Sequence, residues 1–290
     1  VNQHLFACRN LADKIRKVLR HPSTLLFYLK TYVFSRFKHV EPDVYIVSYP
    51  KCGRTWLRVI FQKYLMCVGD YDEGRADKSL YTFPGGVKIL FDHDQGNWVP
   101  SPRTREQLQF RFSKYAGARV VFLARDPRDV LVSSYYHLRY REHIFREGLD
   151  AFVRDELVGA HKLAAFMNMW MENRDVPENF RLLTYENLHE DPLSHVRDLL
   201  LFAGVKVDEG ALEKAVEDSS FDKMKRMEKS GTLKEPWMRP GSKSGEEAMK
   251  IRKGKVGGYR EELSEEDVAY LDSVVENELS DEFPYHANAS

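Results

Sequence analysis

Short β-rich runs alternate with longer stretches of 3.6-residue apolar periodicity along most of this chain, and that alternation constrains the fold more than any other feature. Val44-Tyr45-Ile46-Val47-Ser48 is a compact β-branched run that stops at Pro50. Leu57, Ile60, Phe61, Tyr64 and Leu65 then follow the i, i+3, i+4 spacing of a helix with one buried face. The unit recurs. Val87 to Phe91 and Arg119 to Leu123 read as strands, and Pro127 stands where a first helical turn tolerates proline. Leu163, Phe166, Met167 and Trp170 mark another amphipathic helix, and Phe180 to Leu183 another strand. Asp191-Pro192 is a helix start, with Leu193, Val196, Leu199 and Leu200 on its buried face. Ser264 to Glu278 carries Val268, Leu271, Val274 and Val275 in register. Such a sequence predicts an α/β fold with a central, mostly parallel sheet flanked by helices. Ligands of such sheets bind at the carboxyl ends of the strands, so the strand-to-helix turns are where chemistry is expected.

No repeat or linker-like tract divides the 290 residues, so 1–290 is read as a single domain. Residues 1–43 are expected to form a helical segment packed on the body. Residues 24–34 (TLLFYLKTYVF) are apolar, but they include Lys30 and are too short to span a bilayer; a membrane or partner surface is the other reading. The N-terminus shows no secretory pattern, and a chain beginning at Val1 reads as a trimmed one. Residues 228–258 carry breakers and basic residues with little periodicity, the pattern of a lid or binding loop.

Composition narrows the function classes. Lys plus Arg equals Asp plus Glu at 44 each, so global charge points to neither nucleic acid nor a membrane surface, and any anion site must come from local clustering. The three cysteines, Cys8, Cys52 and Cys67, have no C-x-x-C spacing. That argues against a disulfide framework or a zinc site and suits a reducing, cytoplasmic setting. No metal-ligand cluster is visible, and no bound metal is expected.

Three turns concentrate anion-binding chemistry. Tyr49-Pro50-Lys51-Cys52-Gly53-Arg54-Thr55-Trp56 runs directly into the first helix. Backbone N–H groups at a helix start, a glycine, a hydroxyl and a lysine together make a phosphate cradle. The lysine precedes the glycine, unlike the Walker A order G-x-x-x-x-G-K-S/T, and the plainer reading is a βα turn with a surface lysine. At the second turn Arg125 leaves a strand end and Ser133 follows eight residues later, about two helical turns on; an Arg–Asp helix cap involving Asp126 or Asp129 is the alternative. Third, Arg252-Lys253-Gly254-Lys255 closes the irregular stretch, where it is either a solvated face or the edge of a lid.

Together these segments resemble the cytosolic-type sulfotransferases that use 3′-phosphoadenosine 5′-phosphosulfate (PAPS). The family's 5′-phosphosulfate loop, Y-P-K-S/T-G-T-S/T-W, matches Tyr49 to Trp56, with Cys52 and Arg54 as departures. Its 3′-phosphate pair matches Arg125 and Ser133, and its R-K-G element matches Arg252, Lys253 and Gly254, after which Gly258-Tyr259-Arg260 replaces the usual Gly-Asp-Trp-Lys ending. Tyr185 resembles the adenine-side tyrosine, and Ser219-Ser220-Phe221 with Met224 resembles the T-S-F-x-x-M segment. The matches run in family order from residue 45 to about 260.

The resemblance implies a P-loop-like three-layer fold and transfer of a sulfuryl group from PAPS to a hydroxyl or amine of a small-molecule, lipid or glycan acceptor, leaving PAP. Lys51, Cys52, Gly53, Arg54 and Thr55 would take the phosphosulfate, and Trp56, Tyr185, Ser220 and Phe221 the purine. Arg125, Ser133, Arg252, Lys253 and Gly254 would hold the 3′-phosphate. Lys51 would stabilise the departing phosphate. His93, just after the strand Val87 to Phe91, is the expected base, because imidazole titrates near neutrality and Asp92 or Asp94 could orient it; the family's nearby lysine is missing, and a surface histidine is the bland alternative. His137 is the runner-up, expected to pack or face solvent. Tyr81, Phe83, Tyr140 and Trp237 are the aromatics expected to line an acceptor pocket. The family's dimer motif has no convincing match. A P-loop-type kinase and a non-catalytic nucleotide-binding module are the alternative functions.

Overall fold

The computed structural model describes residues 41–71, 79–98, 103–231 and 245–287. Five strands, β1 (Val44–Val47), β2 (Leu80–Thr82), β3 (Lys88–Asp92), β4 (Arg119–Ala124) and β5 (Asn179–Thr184), form one sheet in the order β2-β3-β1-β4-β5. β1 lies at the centre because it is apolar on both faces: Val44, Ile46 and Val47 are wholly buried, as a strand covered on both sides requires. It pairs in parallel with β3 and β4, setting Val47 opposite both Asp92 and Phe122. β5 continues the parallel array on β4, and β2 adds one antiparallel strand at the far edge.

The helices are α1 (Arg54–Cys67), α2 (Pro127–Tyr136), α3 (Ala160–Glu172), α4 (Tyr185–Glu190), α5 (Pro192–Phe202), α6 (Glu209–Asp218), α7 (Phe221–Ser230) and α8 (Glu265–Glu278). They pack in two groups, α1 with α6 and α6 with α5, and α3 with α8 and α2. Right-handed crossovers explain the grouping. The connection from β1 to β3 moves one way along the sheet and that from β4 to β5 the other, so α1 and the α2–α3 pair fall on opposite faces. The result is the three-layer α/β fold expected from the alternation. Around Trp170 of α3, Tyr115 approaches edge-on at 4.7 Å and Phe122 of β4 stacks at 5.7 Å.

Most helix starts are capped by a side chain. Asp126 accepts from Arg128 N at 2.9 Å ahead of Pro127, Asp191 accepts from Ser194 N at 3.0 Å ahead of Pro192, and Ser264 accepts from Asp267 N at 3.1 Å, each satisfying a donor the helix leaves open. α1 is different. Its N-cap is Gly53, which has no side chain to offer, and no acidic residue stands in its first turn.

Two expectations are corrected here. α7 extends to Ser230 and Glu228 is buried in it, so the irregular stretch begins after the helix, at Gly231 in the left-handed region, rather than at 228. Tyr81 and Phe83 are core residues packed on Phe61 at 5.8 and 5.0 Å, and Tyr140 stacks on Tyr136. The apolar segment 24–34, Cys8, Trp237 and the middle of the expected lid lie outside the described residues. Among the described residues no helix is long and apolar enough to cross a membrane.

Candidate functional site

The carboxyl ends of all four parallel strands open into one cavity of about 610 Å³. β1 and β4 are neighbours whose connections leave in opposite directions, and such a switch point splits the loops apart to form a crevice. β1 delivers Lys51 to Trp56, β3 delivers His93, β4 delivers Arg125, and β5 delivers Tyr185; all but Cys52 of these residues line the cavity. Ser133 reaches it from α2, Ser220 and Phe221 from the start of α7, and Arg252, Lys253 and Gly254 from the segment before α8. Residues taken from seven places in the sequence are thus brought together. Cys52 is the exception, since its side chain is buried in the core and burial pushes its thiol up to about 12; only its backbone belongs to the loop.

The loop ahead of α1 is conformationally demanding. Lys51 has φ +76° and Gly53 φ +94°. For lysine this region costs roughly 1–2 kcal/mol, and such outliers collect at functional sites. Gly53 is also sterically required, because a Cβ there would sit 2.6 Å from the Tyr185 ring. The start of α1 therefore faces the cavity with no side-chain cap, beside a lysine. Burial, followed by the charges of Arg141 and Arg125, lowers the Lys51 ammonium to about 8. Uncapped N–H groups next to a cation destabilised by its surroundings suit a bound anion.

At the opposite end, Arg125 ties three segments together. It stacks 4.3 Å from the Tyr185 ring centroid, donates to the Lys255 carbonyl at 3.1 Å, and pairs with Asp129 at 3.3 Å. Asp129 in turn accepts from the N–H groups of Gly257 and Tyr259, each at 2.9 Å. The Arg–Asp pair foreseen as an alternative is real, but it anchors the 255–259 segment over the cavity; the cap of α2 is Asp126. Arg252 lies 3.9 Å over the Tyr136 ring and shares Glu262 with Lys253, both at 2.6 Å. Tyr185 donates to the Gly254 carbonyl at 3.0 Å, and Trp56 Nε1 donates to the Ser219 carbonyl at 2.8 Å. Trp56 and Tyr185 meet edge-on at 6.1 Å. The rings of Trp56, Tyr185 and Phe221 thus edge a slot bounded by backbone, suited to a flat heterocycle.

His93 is held by a contact that the sequence does not show. Its Nδ1–H donates to the Ser48 carbonyl at 2.8 Å; a carbonyl only accepts, so Nε2 carries the lone pair. The carboxylates expected to orient the ring do other work: Asp92 pairs with Lys114 and accepts from Tyr115 OH at 3.3 Å, and Asp94 faces Arg111 at 3.3 Å. Burial, and next the Arg54 charge, hold the imidazole well below its ordinary range.

Several cavity residues escaped the sequence reading. His137, expected to pack or face solvent, lines the wall 5.6 Å from the Trp98 ring, and Asn97, Tyr136, Met249 and Lys250 lie there too. Their positions depend on tertiary contacts, notably the buried Glu228 carboxylate, which accepts from the Lys250 and Ile251 N–H groups at 2.7 and 2.8 Å.

Comparison with known proteins converges on one family. The chain is 26% identical to flavonol 3-sulfotransferase of Flaveria bidentis over 267 residues, covering 84% of this chain and 83% of that protein. It is 26% identical to cytosolic sulfotransferase 16 of Arabidopsis thaliana, covering 88% and 80%. Among solved structures, the fold is similar to that of mouse sulfotransferase SULT7A1 complexed with PAP, with a TM-score of 0.57 at 18% identity over 84% of this chain and 86% of that one. Retinol dehydratase in complex with androsterone and inactive cofactor PAP superposes with a TM-score of 0.57 at 19% identity, covering 82% and 81%. The sulfotransferase domain model matches residues 41–283, a span that contains every described wall of the cavity, and the chain belongs to the sulfotransferase family.

Proposed function

We propose that this protein moves a sulfuryl group from PAPS to a hydroxyl or amine of a small-molecule, lipid or glycan acceptor, with His93 as the general base. The observation that carries the reading is the 2.8 Å contact between His93 Nδ1 and the Ser48 carbonyl. The Ser48 carbonyl holds the proton on Nδ1, which leaves Nε2 as an acceptor in a cavity shared with Lys51 and the uncapped start of α1.

The residues suit the donor's parts. Lys51 and the N–H groups of Gly53, Arg54 and Thr55 would hold the 5′-phosphosulfate. The Trp56, Tyr185 and Phe221 rings, with Ser220, would take the purine. Arg125, Ser133, Arg252, Lys253 and the Gly254 backbone would take the 3′-phosphate. In the transfer, His93 Nε2 accepts the proton of the acceptor as its oxygen or nitrogen bonds to sulfur. The bond from sulfur to the bridging oxygen breaks, its electron pair stays with the 5′-phosphate of PAP, and Lys51 stabilises the charge that gathers there. The depressed pKa of His93 keeps it unprotonated, and therefore competent, throughout the neutral range.

The kinase alternative has against it the lysine placed before the glycine, and a non-catalytic module has against it the oriented His93. The direct test is transfer of labelled sulfate from PAPS across a panel of phenols, alcohols, amines and saccharides. Turnover on any of them that is lost in His93→Ala supports the reading. Binding of PAP together with inertness toward every acceptor would favour a nucleotide-binding module.

A further inference from the structure

Arg125 and Tyr185, stacked at 4.3 Å, each stand one residue beyond the last paired position of their strands. The parallel register of β4 and β5 ends at Ala124 opposite Thr184, so the ladder does not set the spacing of these two side chains. The next backbone donor on the β4 side is the N–H of Asp126. As the N-cap of α2, Asp126 carries an N–H that the helix itself leaves open. In a capping box the residue three positions on would reach back to it. That residue is Asp129, and its carboxylate is committed to Arg125 and to the N–H groups of Gly257 and Tyr259.

Glu186 takes over where the ladder stops. Its Oε1 accepts from Asp126 N at 3.0 Å, and its Oε2 accepts from Tyr285 OH at 3.1 Å. An acidic residue in the first turn of a helix ordinarily serves its own helix start; here each oxygen has a partner outside α4. Burial raises the Glu186 carboxyl above its usual range, and the Asp126 N–H leads the groups that oppose the shift, with Arg125 and Tyr285 among them. Tyr285 is itself fixed. Arg128 of α2 donates to the Tyr285 carbonyl at 3.2 Å while holding Asp272 at 2.6 Å. The Tyr285 ring stacks on Phe283 at 6.1 Å, and Phe283, wholly buried, packs against Phe122 of β4 at 6.3 Å. The segment after α8 thus links the core of β4 back to the turn that carries Arg125.

We infer that Glu186 is a positioning residue for the donor site: it fixes the Arg125 guanidinium against the Tyr185 ring, so that a 3′-phosphate and a purine are held at one spacing, and Tyr285 acts through it. The inference rests on the sulfotransferase reading of the same cavity and adds the groups behind its wall that set its selectivity. Neither Glu186 nor Tyr285 lines the cavity.

The test is calorimetric titration of the full chain with PAP and with AMP, which shares the purine and the 5′-phosphate but lacks the 3′-phosphate. Glu186→Ala should lower the PAP-to-AMP affinity ratio about tenfold, the scale of lost hydrogen bonds to a charged group. Glu186→Gln should restore most of the ratio, because an amide oxygen still accepts from Asp126 N and the amide nitrogen can donate to the Tyr285 oxygen. Tyr285→Phe should lower the ratio about threefold and have no further effect in the Glu186→Ala background. A merely structural role would weaken both nucleotides alike and leave the ratio in place. If circular dichroism shows Glu186→Ala unfolded, Tyr285→Phe, which deletes a single oxygen, decides alone. An unchanged ratio in the deciding variant overturns the inference, as does a Glu186→Gln ratio no better than that of Glu186→Ala. An undiminished Tyr285→Phe effect in the Glu186→Ala background overturns the path through Tyr285. A wild type with no preference for PAP over AMP is a different result; it removes the sulfotransferase reading and this inference with it.

Discussion

His93 Nδ1 and the backbone carbonyl of Ser48, at the ends of adjacent strands, are 2.8 Å apart, and this contact determines which nitrogen of the imidazole faces the cavity. His93→Ala is expected to lower turnover by roughly 10²–10⁴-fold while PAP affinity stays nearly intact. Nitrogen NMR should find the wild-type ring protonated at Nδ1. A ring protonated at Nε2 contradicts the assigned base, as does turnover in the variant close to wild type with chemistry rate-limiting.

The pH profile follows from two depressed groups. His93 must be neutral to act, and burial together with Arg54 lowers its pKa, so the acid limb of kcat/KM should fall below the ordinary histidine value of about 6.5. Lys51 must be charged. Its pKa of about 8 in the free protein predicts an alkaline limb near pH 8 in kcat/KM, which moves upward in kcat once a bound anion favours the ammonium. An acid limb at or above the ordinary histidine value would count against His93.

Lys51→Met separates stability from function. Below pH 8 the lysine is charged in both the folded and the unfolded chain, so the folded state bears the full cost of burying it. That cost fades as pH rises from about 8 to the ordinary lysine value of 10.5. Near pH 7 the variant should therefore be more stable, by as much as about 3 kcal/mol, and slower by roughly 10²–10³-fold. Chemical denaturation at pH 7 and at pH 11 checks the sign, because the gain should shrink at the higher pH.

The sequence pattern located four of the five strands to within a residue or so, since each is a dense apolar run bounded by turn residues. The edge strand Leu80–Thr82 is only three residues long and lacks enough alternation to register. Glu228 falls at the start of the breaker-rich, weakly periodic stretch 228–258, whereas the helix runs on to Ser230 and buries that carboxylate. Lys51, Arg125 and Tyr185 were legible because each stands directly after a strand. The Ser48 carbonyl, the Asp129 anchor and the Lys250 clamp were not, since each joins groups far apart in the chain through backbone atoms that carry no residue signature.

Arg125 has a role to be divided between ligand and scaffold. Arg125→Ala should weaken PAP binding by roughly 2–4 kcal/mol, and should weaken AMP, which lacks the 3′-phosphate, by clearly less. Equal losses for the two nucleotides would assign Arg125 wholly to holding Tyr185 and the 255–259 segment in place.

Calorimetric titration of the wild-type protein with PAP, beside AMP and ATP–Mg²⁺, tests most directly whether the cavity at the strand ends is a PAPS site. One PAP should bind per chain, at least about a hundredfold more tightly than AMP, a gap of about 2.7 kcal/mol supplied by the contacts of Arg125, Arg252 and Lys253 to the 3′-phosphate. No binding of PAP, or tighter binding of ATP–Mg²⁺, would contradict the assignment.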